Sequence, residues 1–399
     1  MKTLPRLTLG GGHMGRLIRS FAMAALASTL LFGCGGVGTG GTGAFLSSEV
    51  SGFASVIVGG VELDDTKASV FDDDGAAVAR NGNELRLGMM VDVDASTIVS
   101  TSNGKSAAAS RFRIATAVLG PVEAVDTGTR TLTVLGQQLQ INAATVFGPS
   151  LHGGLSALHA GDVVAAYALP DASSGRYVAT RIEPAPGAKA YRLRGIVSAL
   201  DSASRTLHIG GATLDYANAS GVPAGLANGQ LVRVKLPAAS GTGVLSVDAF
   251  GAATGSPMDG DSAVVDGLVT SFASESAFGV NGLPVDVSQA QFDPASTALA
   301  AGVYASVEGR VANGTLVATR VKVLGQSAIA ARVYQVSGPV SSLNGSAKTL
   351  VVRNVEVDYS GAQFVNGTAA GLANGVAVRV DGPLSADGTQ VSATQITFP

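Results

Sequence analysis

The sequence predicts an all-β protein built from tandem, small, five-stranded barrels. Two observations lead to this prediction. Only 14% of the 399 residues are charged, while 53 are glycine and none is tryptophan, a composition typical of short strands joined by tight turns rather than of long surface helices. In addition, one pattern of about 70 residues recurs five times along the chain.

The first 33 residues predict an export signal. The apolar run FAMAALASTLLFG follows four basic residues: Lys2, Arg6, Arg16 and Arg19. This run is too short to cross a bilayer as a helix. Because the basic region is long, Met14 is an alternative start.

The run ends in LFGC, a motif that resembles a bacterial lipobox with Cys34 as the lipidated residue. The resemblance implies cleavage before Cys34, acylation of its sulfur and amino group, and a membrane as partner. The residue after the cysteine is Gly35 rather than Asp. This resembles the sorting signal for the outer membrane and implies a protein that faces the periplasm. The alternative is a plain secretory signal with a chance cysteine. Residues 34–48 are glycine-rich and predict a flexible tether.

Each of the five repeats contains L-x-x-G before an alternating apolar run, and the hexapeptide AGLANG occurs identically in repeats 3 and 5. We expect the glycine to turn the chain into the fourth strand, at a backbone conformation that other residues reach only with strain. These structural glycines are Gly88, Gly161, Gly229, Gly302 and Gly375.

A two-residue turn between strand-like runs also recurs. The turn pairs are Gly59 and Gly60, Leu135 and Gly136, Gly210 and Gly211, Asn281 and Gly282, and Arg353 and Asn354. Gly-Gly and Asn-Gly accept the positive φ angles of primed hairpin turns. Leu135 and Arg353 fit less well, so we expect loops one residue longer there.

Each unit therefore contains a strand, a hairpin, a short connection and two more strands, the order of an OB-type barrel. The predicted repeats span residues 49–115, 116–184, 190–250, 263–324 and 332–399. In repeat 1 the opening strand is shortened to GFAS, and DDDGAAVARNGNE lengthens the middle. Linkers at 183–189, 251–262 and 325–331 predict barrels arranged like beads with limited freedom.

A family resemblance follows from the order of these motifs. G-x-V, a T-L-x-V hairpin, an aromatic such as Phe147, Phe292 or Phe364, L-x-x-G-x-x-V-x-V and a closing A-T-x-I resemble the bacterial domain-of-unknown-function family 5666 (DUF5666). The resemblance extends from Ser51 to the end of the chain. It implies an exported protein with tandem domains, and it implies no established activity.

No motif indicates catalysis or a cofactor, and residues that recur in every repeat argue for fold rather than for one active site. We therefore predict that the chain is not an enzyme and has no catalytic residue, metal site or cofactor. His152 and His159 share a loop without a metal-ligand pattern, so we interpret them as solvated.

Acidic residues also receive structural interpretations. The contiguous Asp72, Asp73 and Asp74 lack the alternation of a calcium loop and predict an exposed acidic turn, with weak calcium binding as the alternative. Asp92 and Asp94 alternate along a strand, and we expect them to face solvent.

Charge and composition argue against nucleic acid as a partner. The net charge is −3 and aromatic residues make up 5% of the chain. Repeat 3 has a small basic excess: Lys189, Arg192, Arg194, Arg205, Arg233 and Lys235.

Two functions follow. The first is a non-catalytic, lipid-anchored envelope protein that presents repeated barrels for binding or spacing, with an envelope protein or glycan as partner. The second is a periplasmic glycan- or small-ligand-binding module with one specialised repeat, which an apolar or aromatic-lined groove in just one repeat would favour.

Overall fold

The computed structural model describes residues 43–102, 104–238, 243–253, 259–293, 298–324 and 332–399. The predicted signal, Cys34 and the linker at 325–331 lie outside the described residues, as do parts of the predicted tether and of the linker at 251–262. The described residues contain strands and two short 3-10 helices, and no α-helix. None of their helices is long and apolar enough to cross a bilayer.

Five successive segments, named barrels 1 to 5, contain the strands. Barrel 1 has β1 (Gly43–Phe53), β2 (Val56–Val58), β3 (Val61–Asp64), β4 (Ser69–Phe71), β5 (Ala77–Val78), β6 (Met90–Ser96), β7 (Val99–Thr101) and β8 (Gly104–Ile114). Barrel 2 has β9 (Val118–Asp126), β10 (Thr131–Val134), β11 (Gln137–Gln140), β12 (Val146–Phe147), a 3-10 helix (Gly154–Ala157), β13 (Val163–Asp171) and β14 (Arg176–Pro184). Barrel 3 has β15 (Ala190–Asp201), β16 (Thr206–Ile209), β17 (Ala212–Asp215), β18 (Leu231–Pro237), β19 (Val244–Ser246) and β20 (Ala249–Gly251).

Barrels 4 and 5 complete the chain. Barrel 4 has β21 (Gly260–Ser274), β22 (Ala277–Val280), β23 (Leu283–Asp286), β24 (Gln291–Asp293), β25 (Tyr304–Ala312) and β26 (Thr315–Leu324). Barrel 5 has β27 (Tyr334–Asn344), β28 (Thr349–Val352), β29 (Val355–Asp358), β30 (Gln363–Val365), a 3-10 helix (Ala369–Gly371), β31 (Ala377–Gly382), β32 (Val391–Ser392) and β33 (Gln395–Thr397).

The strands of each segment close into a ring by the same pairings. In barrel 2, β9 pairs antiparallel with β10 and β13, β10 with β11, and β13 with β14, while β11 pairs parallel with β14. Barrel 1 closes through β1, β2, β3, β8 and β6, and barrel 4 through β21, β22, β23, β26 and β25. In barrels 3 and 5 the last strand is interrupted, into β19 with β20 and β32 with β33. The predicted all-β class and the closed five-stranded barrels are confirmed.

The prediction of longer loops at Leu135 and Arg353 is wrong. In barrel 2 the turn has two residues, because β10 ends at Val134 and β11 begins at Gln137. Leu135 has φ 49°, a conformation that costs about 1–2 kcal/mol for a residue with a side chain. Its side chain is 3% exposed and fills the space beside Gly120, where a Cβ would lie 2.5 Å from it. Burial of Leu135 therefore offsets the backbone strain.

The start of barrel 1 differs from the prediction. Residues 43–48, assigned to the tether, form the first half of β1, so the opening strand is not shortened. Ala44 to Ser47 of β1 pair parallel with Ser262 to Val265 of β21 in barrel 4, in addition to pairing with β6. Because nearly every residue of β1 is buried, its sequence lacks the alternation that marks a half-exposed strand.

The expectation that the barrels are separate units, joined only by linkers like beads, is also wrong. Opening strands pair across barrels: β1 with β21, β1 with β27, and β9 with β15. One apolar core joins barrels 1 and 5 and includes Val146 and Tyr167 of barrel 2, while a second joins barrels 2 and 3. The core of barrel 4 includes Phe45 of β1. The described part of the chain therefore forms one compact unit.

Candidate functional site

The recurring glycines share one backbone arrangement. Their φ angles lie in the left-handed region, and each N–H donates to the carbonyl of a valine in the opening strand of its own barrel. The pairs are Gly88 with Val50, Gly161 with Val122, Gly229 with Val197, Gly302 with Val269 and Gly375 with Val340, at 2.8–2.9 Å. These glycines hold the barrels closed, which is a structural role.

A cavity of about 450 Å³ lies where barrels 1, 2 and 5 meet, and we call it the three-barrel cavity. Barrel 1 contributes Phe53 and the residues from Gly82 to Leu87 other than Glu84, barrel 2 contributes Phe147 and Arg181, and barrel 5 contributes the hairpin of β28 and β29. Its volume lies in the range of small-ligand sites. The cavity has both apolar walls and polar groups, as such sites commonly do.

Arg353 lies at the first turn position of the β28–β29 hairpin. Its Nε donates to the carbonyl of Ser337 at 3.2 Å, and its Nη2 donates to the carbonyl of Ala54 at 3.3 Å. Neither carbonyl carries a charge, and within the described part of the chain no carboxylate lies close enough to form an ion pair with Arg353. The guanidinium is therefore held in place without being neutralised.

Arg181 and Arg86 also line the three-barrel cavity, and both bind one carboxylate. Arg181 is buried and donates to Glu183 and, at 2.8 Å, to the carbonyl of Leu87. Arg86 donates to the same oxygen of Glu183 at 3.0 Å. Burial lowers the pKa of Arg181, but a guanidinium keeps its charge in proteins. These contacts fix the positions of barrels 1 and 2 around the cavity.

A second cleft, of about 520 Å³, lies between barrels 2 and 3. Its walls are largely glycine and short polar side chains, including Gly136, Gly210 and Ser198. Asp171 and Arg176 in the lining carry opposite charges, so the net charge of the lining is zero. This cleft offers less chemical selectivity than the three-barrel cavity.

The predicted acidic turn is exposed at Asp74 and only partly exposed at Asp72 and Asp73, and it also forms a junction between barrels. Asp72 accepts hydrogen bonds from the N–H groups of Asp74 and Ala76 in its own turn. Asp74 forms ion pairs with three cations of barrel 3: Arg192, Arg233 at 3.2 Å and Lys235 at 3.5 Å. The hydrogen bond from Arg192 and these charges lower the pKa of Asp74 to about 2. Half of the basic excess of repeat 3 is thus bound within the protein.

Asp73 lies at the same junction. Its Oδ1 accepts the N–H of Thr116 at 3.0 Å. Burial raises the pKa of Asp73 to about 6, against the lowering effect of that hydrogen bond and of the nearby arginines. The three aspartates therefore have three different surroundings, and their oxygens do not form one ligand set.

The other residues singled out in the sequence are dispersed. His152 is exposed and lies in the lining of the three-barrel cavity, while His159 is exposed beside Asp162 at 3.8 Å. Asp92 is buried, so the expectation that it faces solvent is wrong. Arg194 is buried between barrels and donates to the carbonyls of Ala253 and Asn281. Across the described residues, no three His, Cys, Asp or Glu side chains converge as metal ligands.

Fold and site together define a class: an all-β protein of small closed barrels, with cavities between the barrels. Three segments match the family model described as "Domain of unknown function (DUF5666)": residues 120–183, 266–322 and 337–397. They coincide with barrels 2, 4 and 5, which is consistent with tandem repeats of this family in those parts of the chain. No curated protein matches the chain.

The three-barrel cavity is absent from the sequence prediction, although one signal for it was present. Arg353 occupies a turn position where Gly59, Gly210 and Asn281 stand in barrels 1, 3 and 4. The misfit alone predicts a longer loop, which the structure does not have. An exposed arginine that keeps a strained two-residue turn is instead a reason to look for a ligand beside it.

Proposed function

We propose that this chain is a non-catalytic, lipid-anchored protein of the cell envelope that presents its barrels as one rigid body for binding. The observation that supports the proposal is the pairing between opening strands, where β1 joins both β21 and β27. Barrels joined by backbone hydrogen bonds and shared cores cannot turn freely against one another. A surface formed between them keeps its shape, which lowers the entropic cost of binding.

The anchor is supported by the sequence. The export signal at residues 1–33 ends in LFGC, and the lipobox resemblance assigns the acyl chains to Cys34. One acyl chain holds a protein at a membrane only marginally, whereas two or more hold it firmly. With Gly35 after the cysteine, we assign the protein to the outer membrane, facing the periplasm. Its partner would be an envelope protein or a glycan.

Labelling with palmitate tests the anchor. The full chain should take up the label and fractionate with outer membranes, and Cys34→Ser should lose the label and leave the membrane fraction. Gly35→Asp serves as a sorting control that should keep the label but change the membrane. A wild-type chain without label, or a Cys34→Ser variant that stays in the membrane fraction, would replace the anchor with a plain secretory signal.

A second function, a periplasmic module that binds a glycan or small ligand, is favoured by the three-barrel cavity. Phe53 and Phe147 are buried in its wall beside polar groups, an arrangement that suits a compact organic ligand. Three barrels build this cavity, whereas the sequence suggested one specialised repeat. Calorimetric titration of small ligands into the purified chain tests this function.

A further inference from the structure

We propose that the three-barrel cavity binds a small organic anion with one carboxylate and an apolar face, and that Arg353 holds the carboxylate. The inference rests on the proposed binding role and names the class of ligand. Three features support it: the charge of the cavity, the way Arg353 is held, and the position of Arg353 in its turn.

The charge of the cavity matches a single negative charge. The guanidinium groups of Arg86, Arg181 and Arg353 line it, and two carboxylates are near them, Glu356 in the lining and Glu183 bound to Arg86 and Arg181. One positive charge is left uncompensated. A singly charged carboxylate balances it, whereas a doubly charged phosphate would leave an excess of negative charge in a partly apolar site.

The guanidinium of Arg353 is oriented before any ligand arrives. Its Nε and Nη2 each donate to a backbone carbonyl, of Ser337 in barrel 5 and of Ala54 in barrel 1. These two bonds leave its Nη1 without a protein acceptor among the described residues. Hydrogen bonds from a guanidinium to a carboxylate are shorter and stronger than neutral ones. Arg353 therefore offers a fixed charge and an available donor to an anion.

The turn position supports a role for the side chain beyond folding. Arg353 and Asn354 have φ 47° and 59°, the left-handed conformations of a primed turn that glycine and asparagine favour. In barrel 2 the corresponding misfit, Leu135, is explained by its burial. The stem of Arg353 packs in a similar way, with its Cγ 3.3 Å from the position that a Cβ of Gly338 would take, but the residue is exposed and packing of the stem does not account for its charge. Strain retained at an exposed charged residue is characteristic of binding sites.

The walls of the cavity define the rest of the ligand. Phe53, Leu87, Val146 and Phe147 are buried side chains in the lining, and Asn83, Asn354 and Gln390 add amide groups. An aromatic or aliphatic body, or the apolar face of a sugar ring, fits such a wall. A hydrophobic carboxylic acid and an acidic sugar share the required chemistry.

Matched probes test the inference on the full chain. Calorimetry with 3-phenylpropionate against its amide, and with glucuronate against glucose, compares acids with neutral partners of similar shape. We expect at least one acid to bind, with a Kd at least about tenfold lower than that of its neutral partner. The acid that binds more tightly identifies the source as a hydrophobic acid or an acidic sugar.

Arg353→Asn removes the charge and places a residue that accepts positive φ in the turn, so the barrel should fold. We expect it to weaken acid binding about tenfold or more. Arg205→Asn is the matched control, because Arg205 is exposed with φ 55° in barrel 3, outside the cavity lining, and its loss should leave binding unchanged.

Three outcomes would overturn the inference: no acid binding up to about 10 mM, equal binding of acid and neutral probes, or unchanged acid binding by Arg353→Asn. The palmitate experiment is independent of this one. A chain without label that binds the acid would refute only the anchor, and a labelled chain that binds no acid would refute only the ligand.

Discussion

The backbone N–H of Gly229 donates to the carbonyl of Val197 at 2.8 Å, and the N–H of Val197 donates to the carbonyl of Gln230 at 2.9 Å. These two bonds form a ring between the start of the fourth strand and the middle of the opening strand of barrel 3. Equivalent rings occur in the other four barrels, at Val50, Val122, Val269 and Val340. Glycine enters the required left-handed conformation without strain, so the L-x-x-G motif marks the closure of each barrel.

Gly88→Ala should lower the free energy of unfolding more than Gly229→Ala does. The two glycines have similar φ angles, 78° and 85°, so alanine strains the backbone at both by about 1 kcal/mol. At Gly88 the new Cβ would also lie 2.5 Å from the carbonyl oxygen of Thr180 in barrel 2, whereas nothing lies within 4 Å at Gly229. We expect a loss of about 2–4 kcal/mol for Gly88→Ala. Urea denaturation measures both, and equal losses would refute the role of the contact with barrel 2.

Asp74→Asn should weaken the junction between barrels 1 and 3. The substitution leaves Arg192, Arg233 and Lys235 close together without their shared counter-ion. We expect a loss of about 1–2 kcal/mol at low salt and a smaller loss at high salt, because salt screens the charges. The measurement is the urea midpoint at two salt concentrations.

Asp381→Asn is the matched control for that junction. Its partner Arg379 belongs to the same strand and has a side chain that is 53% exposed, so this ion pair should contribute less than about 0.5 kcal/mol. If the two variants lose the same stability, the ion pairs of Asp74 do not hold the barrels together.

Tyr334→Phe should lower the free energy of unfolding by removing a hydrogen bond between barrels 5 and 2. The hydroxyl of Tyr334 is buried and donates to the carbonyl of Ala144 in barrel 2 at 2.8 Å. Removing it leaves a buried carbonyl unpaired, at a cost of about 1–2 kcal/mol. Tyr359→Phe is the control, since Tyr359 is also buried in barrel 5 but has no hydroxyl partner among the described residues. Thermal unfolding that moves equally in both variants would contradict the expected coupling.

The sequence predicts what local patterns determine. Alternation, turn residues and the L-x-x-G motif act over a few positions, and they specify each barrel closely enough to place its strands. The conformation of Leu135 shows the limit of this reasoning, because burial over Gly120 overrides the local preference for a residue that accepts positive φ.

The arrangement between barrels has no such local signal. Asp74 binds Arg192, which lies 118 positions away, and nothing in a run of aspartates indicates that partner. The strand β1 appears irregular in the sequence because both of its faces are buried: Leu46 lies in the core that joins barrels 1 and 5, and Phe45 lies in the core of barrel 4. The three-barrel cavity depends on residues from three barrels, so it could be recognised only after the barrels were placed.

Asp73→Asn should remove a pH dependence from the stability of the protein. The pKa of Asp73 is raised by burial to about 6 in the folded chain, against about 3.9 when unfolded. The folded state therefore binds more protons between these values, and stability falls as pH rises from about 4 to about 6. Asp74, whose pKa is lowered to about 2, acts in the opposite direction and only below about pH 4.

Since Asp73 is half-buried, we expect the parent protein to lose about 1 kcal/mol of unfolding free energy between pH 4.5 and pH 7.5. Asparagine keeps the acceptor for Thr116 but does not titrate, so the variant should lose that much less stability than the parent across this interval in urea denaturation. Parallel pH profiles for the two proteins would show that Asp73 is already ionised at low pH in the folded state.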